Sequence, residues 1–453
     1  MKKIIFLFFF TNLIYSQCWK TVEANFGYHC IGIQTDGTLW TWGYNSAGQL
    51  GDGTTINKEV PTQIGTLTNW KSASNNFYNS YAIKTTGTLW AWGENDNGQL
   101  GIGNTVNKIV PTQVGIQSTW SSISAGRNYC LAIKTNGTLW AWGNNNDGRL
   151  GDGTIIQRLS PVQIGTDNDW IKIAAGSCSF GIKSNGSLWF WGDQYNGSDT
   201  NGSTIPAQVG TDTWSDISIT YRHVVALKIN GSIWAWGNND SGELGRGNNI
   251  NNFSNYTAAQ IGTATNWKAI GAGINTSMAI KTNGTLWAWG ENTYGQYGNN
   301  TTTESFVPTQ IGTAINWKSV SLGYSFTTAL RTNNNRLWTW GRDNQDALGN
   351  GVNADSSIPV GIGTCTTLNN NNFDLLNNSF RIYPNPSKIE LNIDNALNLE
   401  INVLKIIDVL GKVVLTQKSD FKKIDIQNLD SGIYILYIIT DQNNTYKYKL
   451  IKN

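Results

Sequence analysis

Few residues of this 453-residue chain are of types that carry out chemistry, and their spacing argues against most reactions they could perform. The two histidines, His29 and His223, stand far apart, and the five cysteines, Cys18, Cys30, Cys130, Cys178 and Cys365, form no CxxC pair. Neither a zinc cage nor a thiol–imidazole nucleophile is spelled out. Asp52 and Asp152 recur in Gly-Asp-Gly, and Asn144 to Gly148 superficially resembles a calcium loop. Ile102 and Arg246 take the equivalent position in other copies, so carboxylates are too sparse for a hard cation and turn chemistry is the expected role. The glycine-rich segments lead into no helix and carry no following Lys-Ser/Thr, which argues against a phosphate cradle. Asn-Gly-Thr and Asn-Gly-Ser match glycosylation acceptors, but they sit at turns that account for them. No catalytic residues, metal or cofactor are expected. What remains is one variable loop bearing Tyr28, Phe77, Tyr78, Arg127, Tyr221, Arg222 and Tyr324, residue types that anchor binding interfaces. Simple coverage of sheet edges is the alternative reading of those side chains. The loop from Asn248 to Tyr256 is a second candidate surface.

These loops are positioned by a repeat. Ala132 to Gly143, Ala-Ile-Lys-Thr-Asn-Gly-Thr-Leu-Trp-Ala-Trp-Gly, has close copies seven times. Two β-prone runs flank Asn136-Gly137, which predicts a hairpin with a two-residue type I′ turn. Trp140 and Trp142 share one strand face while Leu139 and Ala141 share the other, so both faces are apolar and both must be covered. The second Trp falls at 42, 92, 142, 191, 236, 289 and 340, a period near 50 residues. Another Trp opens each copy, at 19, 70, 120, 170, 214, 267 and 317, so three per repeat use all 21 tryptophans. Four short strands per copy, separated by glycine turns, predict an all-β, seven-bladed β-propeller of four-stranded blades. Its packing logic sets the indoles of one blade on the Leu/Ala face of the next. Phe190, between the tryptophans of the fourth copy, should alter that junction.

The quoted runs, with Gly-Gln-Leu-Gly-Asp-Gly-Thr, resemble regulator of chromosome condensation repeats over about residues 19–364, and that resemblance implies a seven-bladed propeller. His29 and His223 fall where the family repeat often has His; Asn79, Tyr129, Cys178, Thr276 and Phe326 replace it elsewhere, so a packed or capping role is expected. The family includes a guanine nucleotide exchange factor, but no obvious single-copy wedge insertion supports carrying that activity over. Cys18 precedes the first Trp, and Cys365 lies close to where an eighth would begin. In a closed ring those places coincide, which predicts a Cys18–Cys365 disulfide, two free surface thiols being the alternative.

The ends of the chain concern export. Residues 1–16 join Lys2 and Lys3 to a short apolar run ending at Ser16, the pattern of a signal peptide. The propeller is expected over 17–365 and an Asn-rich linker over 366–379. Tyr383-Pro384-Asn385-Pro386, Asp408 to Lys412 and Leu429 to Tyr434 resemble the C-terminal sorting domain of type IX secretion, over 380–453. That implies a small β-sandwich, recognition by secretion machinery and a Bacteroidetes-type Gram-negative setting. Net charge is only +2, which offers no nucleic-acid surface, and no later segment is apolar enough for a membrane helix. The expected function is a secreted or cell-surface binding module without catalysis, for a protein or glycan ligand. A secreted enzyme on polysaccharide or peptide and a structural surface protein are the alternatives.

Overall fold

The computed structural model describes residues 18–193, 202–220, 223–250, 253–363, 380–395, 399–408, 412–441 and 445–453. The chain divides into two compact units, 1–366 and 367–453. Among the described residues there is no α-helix.

In the first unit each sequence repeat builds one antiparallel sheet. The third repeat is representative: Trp120–Gly126, Tyr129–Lys134, Leu139–Gly143 and Arg158–Ile164 pair in that order. Cys130 lies opposite Trp142 and Ala132 opposite Trp140. The hairpin turn departs from the predicted type I′ geometry. Lys134 N–H bonds Thr138 O and Gly137 N–H bonds Lys134 O, which makes a three-residue loop, and only Gly137 has positive φ, +78°. The Asn136 side chain explains the preference: its Oδ1 accepts from Thr138 N–H at 3.3 Å and Oγ1–H at 2.8 Å. Thr138 Oγ1 in turn accepts the Trp140 indole N–H at 3.0 Å. Repeats four and five share the strand Ser203–Ile219, so their sheets merge into one of seven strands.

Packing follows the large-into-small logic. Trp170, Trp189 and Trp191 of repeat four form one cluster with Leu131, Leu139 and Ala141 of repeat three. The same pattern joins every consecutive pair, and Trp19 and Trp42 of repeat one pack with Leu330, Leu337 and Ile362 of repeat seven. At the junction of repeats four and five, Phe180 and Phe190 sit 5.2 Å apart and Phe180 meets Trp236 at 5.8 Å, the bulkier packing expected of that copy.

Each junction is also pinned by polar contacts. The second hairpin Trp is buried, and in repeats two, three, six and seven its indole N–H reaches a backbone carbonyl of the preceding repeat: Trp92 to Gln49 O at 2.9 Å, Trp142 to Gln99 O at 2.8 Å, Trp289 to Glu243 O at 2.8 Å, Trp340 to Gln296 O at 2.7 Å. Trp42 closes the series on Ala347 O of repeat seven at 3.1 Å. Two residues past that carbonyl the chain must touch the indole face. A Cβ on Gly101, φ +70°, would lie 2.7 Å from Trp142 Nε1. Hence glycine there is dictated both by conformation and by contact. The outermost strands face solvent and carry Pro61, Pro111, Pro161, Pro206, Pro308 and Pro359, six of the chain's eight prolines. Proline lacks the N–H that an added strand would need. Repeat five has Ala258 at this position and only a two-residue outer strand, Ala259–Gln260.

In the second unit, Phe380–Tyr383, Glu390–Asn395 and Lys423–Asp425 form one sheet, while Val413–Gln417, Ile401–Asp408, Gly432–Thr440 and Thr445–Lys452 form another. Leu391, Ile393 and Ile424 of the first share a buried cluster with Leu404, Ile406, Leu436 and Ile438 of the second.

The glycine requirement is testable. Gly101→Ala combines a left-handed φ with a clash on Trp142, whereas Gly115→Ala, φ +60°, meets open space. In urea melts Gly115→Ala should cost about 1 kcal/mol and Gly101→Ala at least twice that, about 2–4 kcal/mol. Equal losses would show that contact with the indole is unimportant.

Candidate functional site

The first strand of every repeat contributes to one cavity of about 340 Å³, with Glu23, Ser74, Ser122, Lys172, Asp216 and Ser321 among its polar lining. Serine hydroxyls here accept backbone N–H groups from the next repeat, as Ser321 does from Ala24 at 3.0 Å and Ser124 from Ala175 at 3.0 Å. Lys172 is ion-paired to Asp216. Glu23 accepts from Ser321 Oγ at 3.3 Å. Burial pushes the Glu23 carboxyl up to about 7 against the opposing pull of Ser321, Asn25 and Lys172. Sequence reasoning missed these charges. Their signal was available, since Glu23, Lys172 and Asp216 stand where the other first strands carry Ser, Thr, Ala or Gly.

At one end of the first strands lies the variable loop. The residue seven places after the leading Trp is Phe26, Phe77, Arg127, Ile274 or Tyr324 in repeats one, two, three, six and seven. A second cavity of about 350 Å³ is lined by Phe77, Tyr78, Glu94, Arg127, Asn128, Ile274 and Tyr324. Four of the seven loop residues singled out in the sequence, Phe77, Tyr78, Arg127 and Tyr324, therefore surround one cup. Tyr28 sits beside it, its ring 4.7 Å from that of Tyr324. Burial, then the neighbouring Tyr324 phenol, raises the Tyr28 hydroxyl to about 12. Tyr221 and Arg222 lie outside the described residues. The aromatic chain continues from Tyr28 to Tyr44 at 6.4 Å and from Tyr44 to Tyr78 at 6.2 Å. Phe26, buried and at φ +54°, lines the 340 Å³ cavity and stacks on Phe77 at 6.4 Å, so this pair stands between the two cavities. A left-handed φ is rare for so bulky a residue.

The loops are held by the residue that follows each hairpin glycine. Tyr44 N–H bonds Tyr28 O at 3.0 Å, Glu94 N–H bonds Tyr78 O at 2.9 Å and Asn144 N–H bonds Asn128 O at 2.9 Å. These bonds bring Tyr44, Glu94 and Asn144 to the same end; sequence reasoning passed over Tyr44 and Glu94 because it sought variation in the first loop and in Asn248 to Tyr256, and it read Asn144 only as part of a turn. Beside the cup lies a polar cavity of about 300 Å³, which shares Arg127 and Asn128 with it and adds Asn144, Asn146, Asp147 and Arg149.

The remaining chemistry-bearing residues are engaged by neighbours within the fold. His29 Nε2 lies 2.8 Å from Ser80 Oγ, which donates to Gln49 O at 2.8 Å. The histidine is thus the donor to serine, and that carbonyl is the one Trp92 also uses. His223, Ser277, Glu243 O and Trp289 repeat the arrangement. Burial lowers both imidazoles to about 3. Asp52 accepts from Thr54 N–H and Asn45 Nδ2 and pairs with Lys58 at 3.0 Å; Asp152 does the same with Thr154, Asn145 and Arg158. Among the described residues no group of three His, Cys, Asp or Glu could hold a metal ion. Cys30, Cys130 and Cys178 are buried free thiols, whereas Cys18 is disulfide-bonded. Cys365 lies outside the described residues.

The regulator of chromosome condensation (RCC1) repeat matches residues 36–74, 86–133, 136–178, 230–280 and 283–330. A second model of the same repeat matches 120–149, 214–243, 267–296 and 317–346. The chain belongs to the RCC1 repeat family. The RCC1-type sheets are those of a β-propeller, as solved structures agree. Human WBSCR16 is 20% identical with a TM-score of 0.64, over 72% of this chain and 93% of that one. Prp20p from Saccharomyces cerevisiae is also 20% identical with a TM-score of 0.64, over 81% and 90%. Yeast RCC1 (Prp20) bound to Kap60 is 18% identical with a TM-score of 0.63, over 79% and 87%. At these identities the likeness concerns the fold. Residues 381–453 match the secretion system C-terminal sorting domain, which indicates export to the cell surface or medium. No helix among the described residues is long and apolar enough to cross a membrane.

The raised Glu23 carboxyl gives a pH prediction. Its folded form holds a proton more tightly than the unfolded chain, so its contribution is complete below pH 4.5 and is lost as pH rises to about 7. Glu23→Gln should therefore melt within a degree or so of the parent at pH 4 and a few °C above it at pH 8. A difference that is the same at both pH values would refute the assigned environment.

Proposed function

We propose that this RCC1-type chain is an exported binding protein without catalytic activity, whose ligand, a protein or a glycan, sits in the aromatic cup at one end of a seven-bladed ring. The observation that carries the reading is the convergence of Phe77, Tyr78, Arg127 and Tyr324 on one cavity, with the Tyr28 ring tilted against that of Tyr324. Aromatic and Arg side chains around a concavity are the composition of binding hot spots. Contacts between every consecutive pair of repeats, and between the last and the first, support seven blades. Residues 1–16 act as a signal peptide, 17–365 as the propeller, 366–379 as a linker and 380–453 as the sorting domain. The two sheets of that domain and their shared core support a β-sandwich. The secretion machinery is its partner, in a Bacteroidetes-type organism.

Closure of the ring is assigned to a Cys18–Cys365 disulfide. Its support is that Cys18 is bridged while Cys30, Cys130 and Cys178 are free. Peptide mapping without reductant should recover the linked Cys18 and Cys365 peptides; alkylation of both thiols in the native protein would sink the assignment.

One observation favours a second reading, hydrolysis of polysaccharide or peptide. Glu23 and Asp216 line the same cavity, and Glu23 at about 7 has the poise of a general acid. Against it stands Asp216, held by Lys172. Incubation of the full chain with polysaccharides and peptides, followed by mass analysis, separates the two. The binding reading expects retention without products, and retention reduced about tenfold by Tyr78→Ala/Arg127→Ala. Products that disappear in Glu23→Gln would replace it with the enzyme.

A further inference from the structure

Resting on the cup as the binding site, we infer that its ligand is an uncharged oligosaccharide spanning two subsites, the aromatic cup and the polar cavity next to it. The two cavities, about 350 and 300 Å³, are in the range of small-molecule sites and share Arg127 and Asn128 as their boundary. The first is lined by three aromatic rings and an aliphatic side chain, Phe77, Tyr78, Tyr324 and Ile274, together with Glu94. A pyranose ring has one C–H-lined apolar face and a belt of hydroxyls, so it stacks on an aromatic while its rim is hydrogen-bonded. The second cavity presents Asn128, Asn144, Asn146, Asp147 and Arg149. Amide, carboxylate and guanidinium groups are planar, and each offers two atoms at a spacing that matches vicinal hydroxyls.

Charge selects among glycans. Asp147 is ion-paired with Arg149, and the described lining of the two cavities sets two cations, Arg127 and Arg149, against three carboxylates, Glu94, Asp147 and Asp193. Among the described residues no excess of cations awaits uronate, sulfate or phosphate groups, and a surplus of one carboxylate is too small to select an amine polymer. Asn144 is already oriented, its Nδ2 on Asn97 Oδ1 at 3.1 Å and its Oδ1 accepting from Asn146 N–H at 3.1 Å. Phe26, buried and at positive φ, stacks on Phe77 and so restrains one of the rings that line the cup.

Calorimetry on the full chain tests this with neutral gluco-, xylo-, manno- and galacto-oligosaccharides of one to six units, uronic-acid oligomers and a peptide library. At least one neutral oligomer of two or more units should bind with Kd below about 1 mM, its monosaccharide at least tenfold more weakly. Affinity should change less than about twofold between roughly 0.05 and 0.5 M salt. Tyr78→Ala and Asn146→Ala, both at exposed positions, should each weaken it about tenfold with melting unchanged. Absence of neutral oligosaccharide binding at 10 mM, roughly the weakest such assays detect, overturns the glycan assignment. If peptides or acidic oligomers bind instead and Tyr78→Ala abolishes this, the cup stands and only its ligand class falls. Neutral binding that survives both substitutions overturns the cup itself.

Discussion

The contact on which the first unit depends is the indole N–H of one repeat on a loop carbonyl of the repeat before it. It is worth little as an isolated hydrogen bond, about 1 kcal/mol net. Its importance is positional. A buried Trp without a partner would leave a costly orphan donor, so the bond fixes the depth at which each sheet meets the next. The glycine that lets the loop approach, the serine that shares the carbonyl and the histidine that donates to that serine are all arranged around this oxygen. Trp191 is the exception: its indole nitrogen has no partner, at the junction where Arg149 O is taken by Ser179 at 2.6 Å.

Because the scaffold consumes every tryptophan and both histidines, individuality is left to positions the repeat does not dictate. Among the described residues two such sets line cavities of the first unit, and they differ in kind. The first strands line the cavity, so a single substitution there can place a charge inside; Glu23, Lys172 and Asp216 are of that sort. The loop residues are instead clustered by backbone bonds to the residue after each hairpin. The cavity is therefore a hydroxyl-lined space with three charges, and the cup is an aromatic platform with a polar shelf. Phe26 and Phe77 divide them.

Much of this was legible in the sequence because the repeat is strong. Strand order, the Trp-on-Leu junctions and the unusual fourth copy all follow from spacing and alternation. The hairpin turn was misread because Asn-Gly suits two loop lengths, and the Asn136 side chain, not a second positive φ, decides between them. For the site, a loop-by-loop list was enough to find Phe77, Tyr78, Arg127 and Tyr324, but not to show that residues from repeats two, three, six and seven meet. That juxtaposition depends on curvature of the array, which accumulates from packing angles no local window contains. The cavity charges do break the Ser, Thr, Ala or Gly pattern of the first strands, but that Glu23 shares one cavity with Lys172 and Asp216 shows only once every first strand lies side by side.

The prolines of the outer strands have a consequence at higher density. A protein carried to the cell surface or medium meets many copies of itself, and a perimeter of unpaired strands would offer each copy a seam for joining another. With Pro61, Pro111, Pro161, Pro206, Pro308 and Pro359 interrupting that seam, neighbouring molecules can touch without knitting together. The aliphatic residues beside them, such as Val60, Val110 and Ile358, can thus stay exposed at the rim. Molecules crowded together would therefore lack a continuous unpaired edge along which to join into fibres.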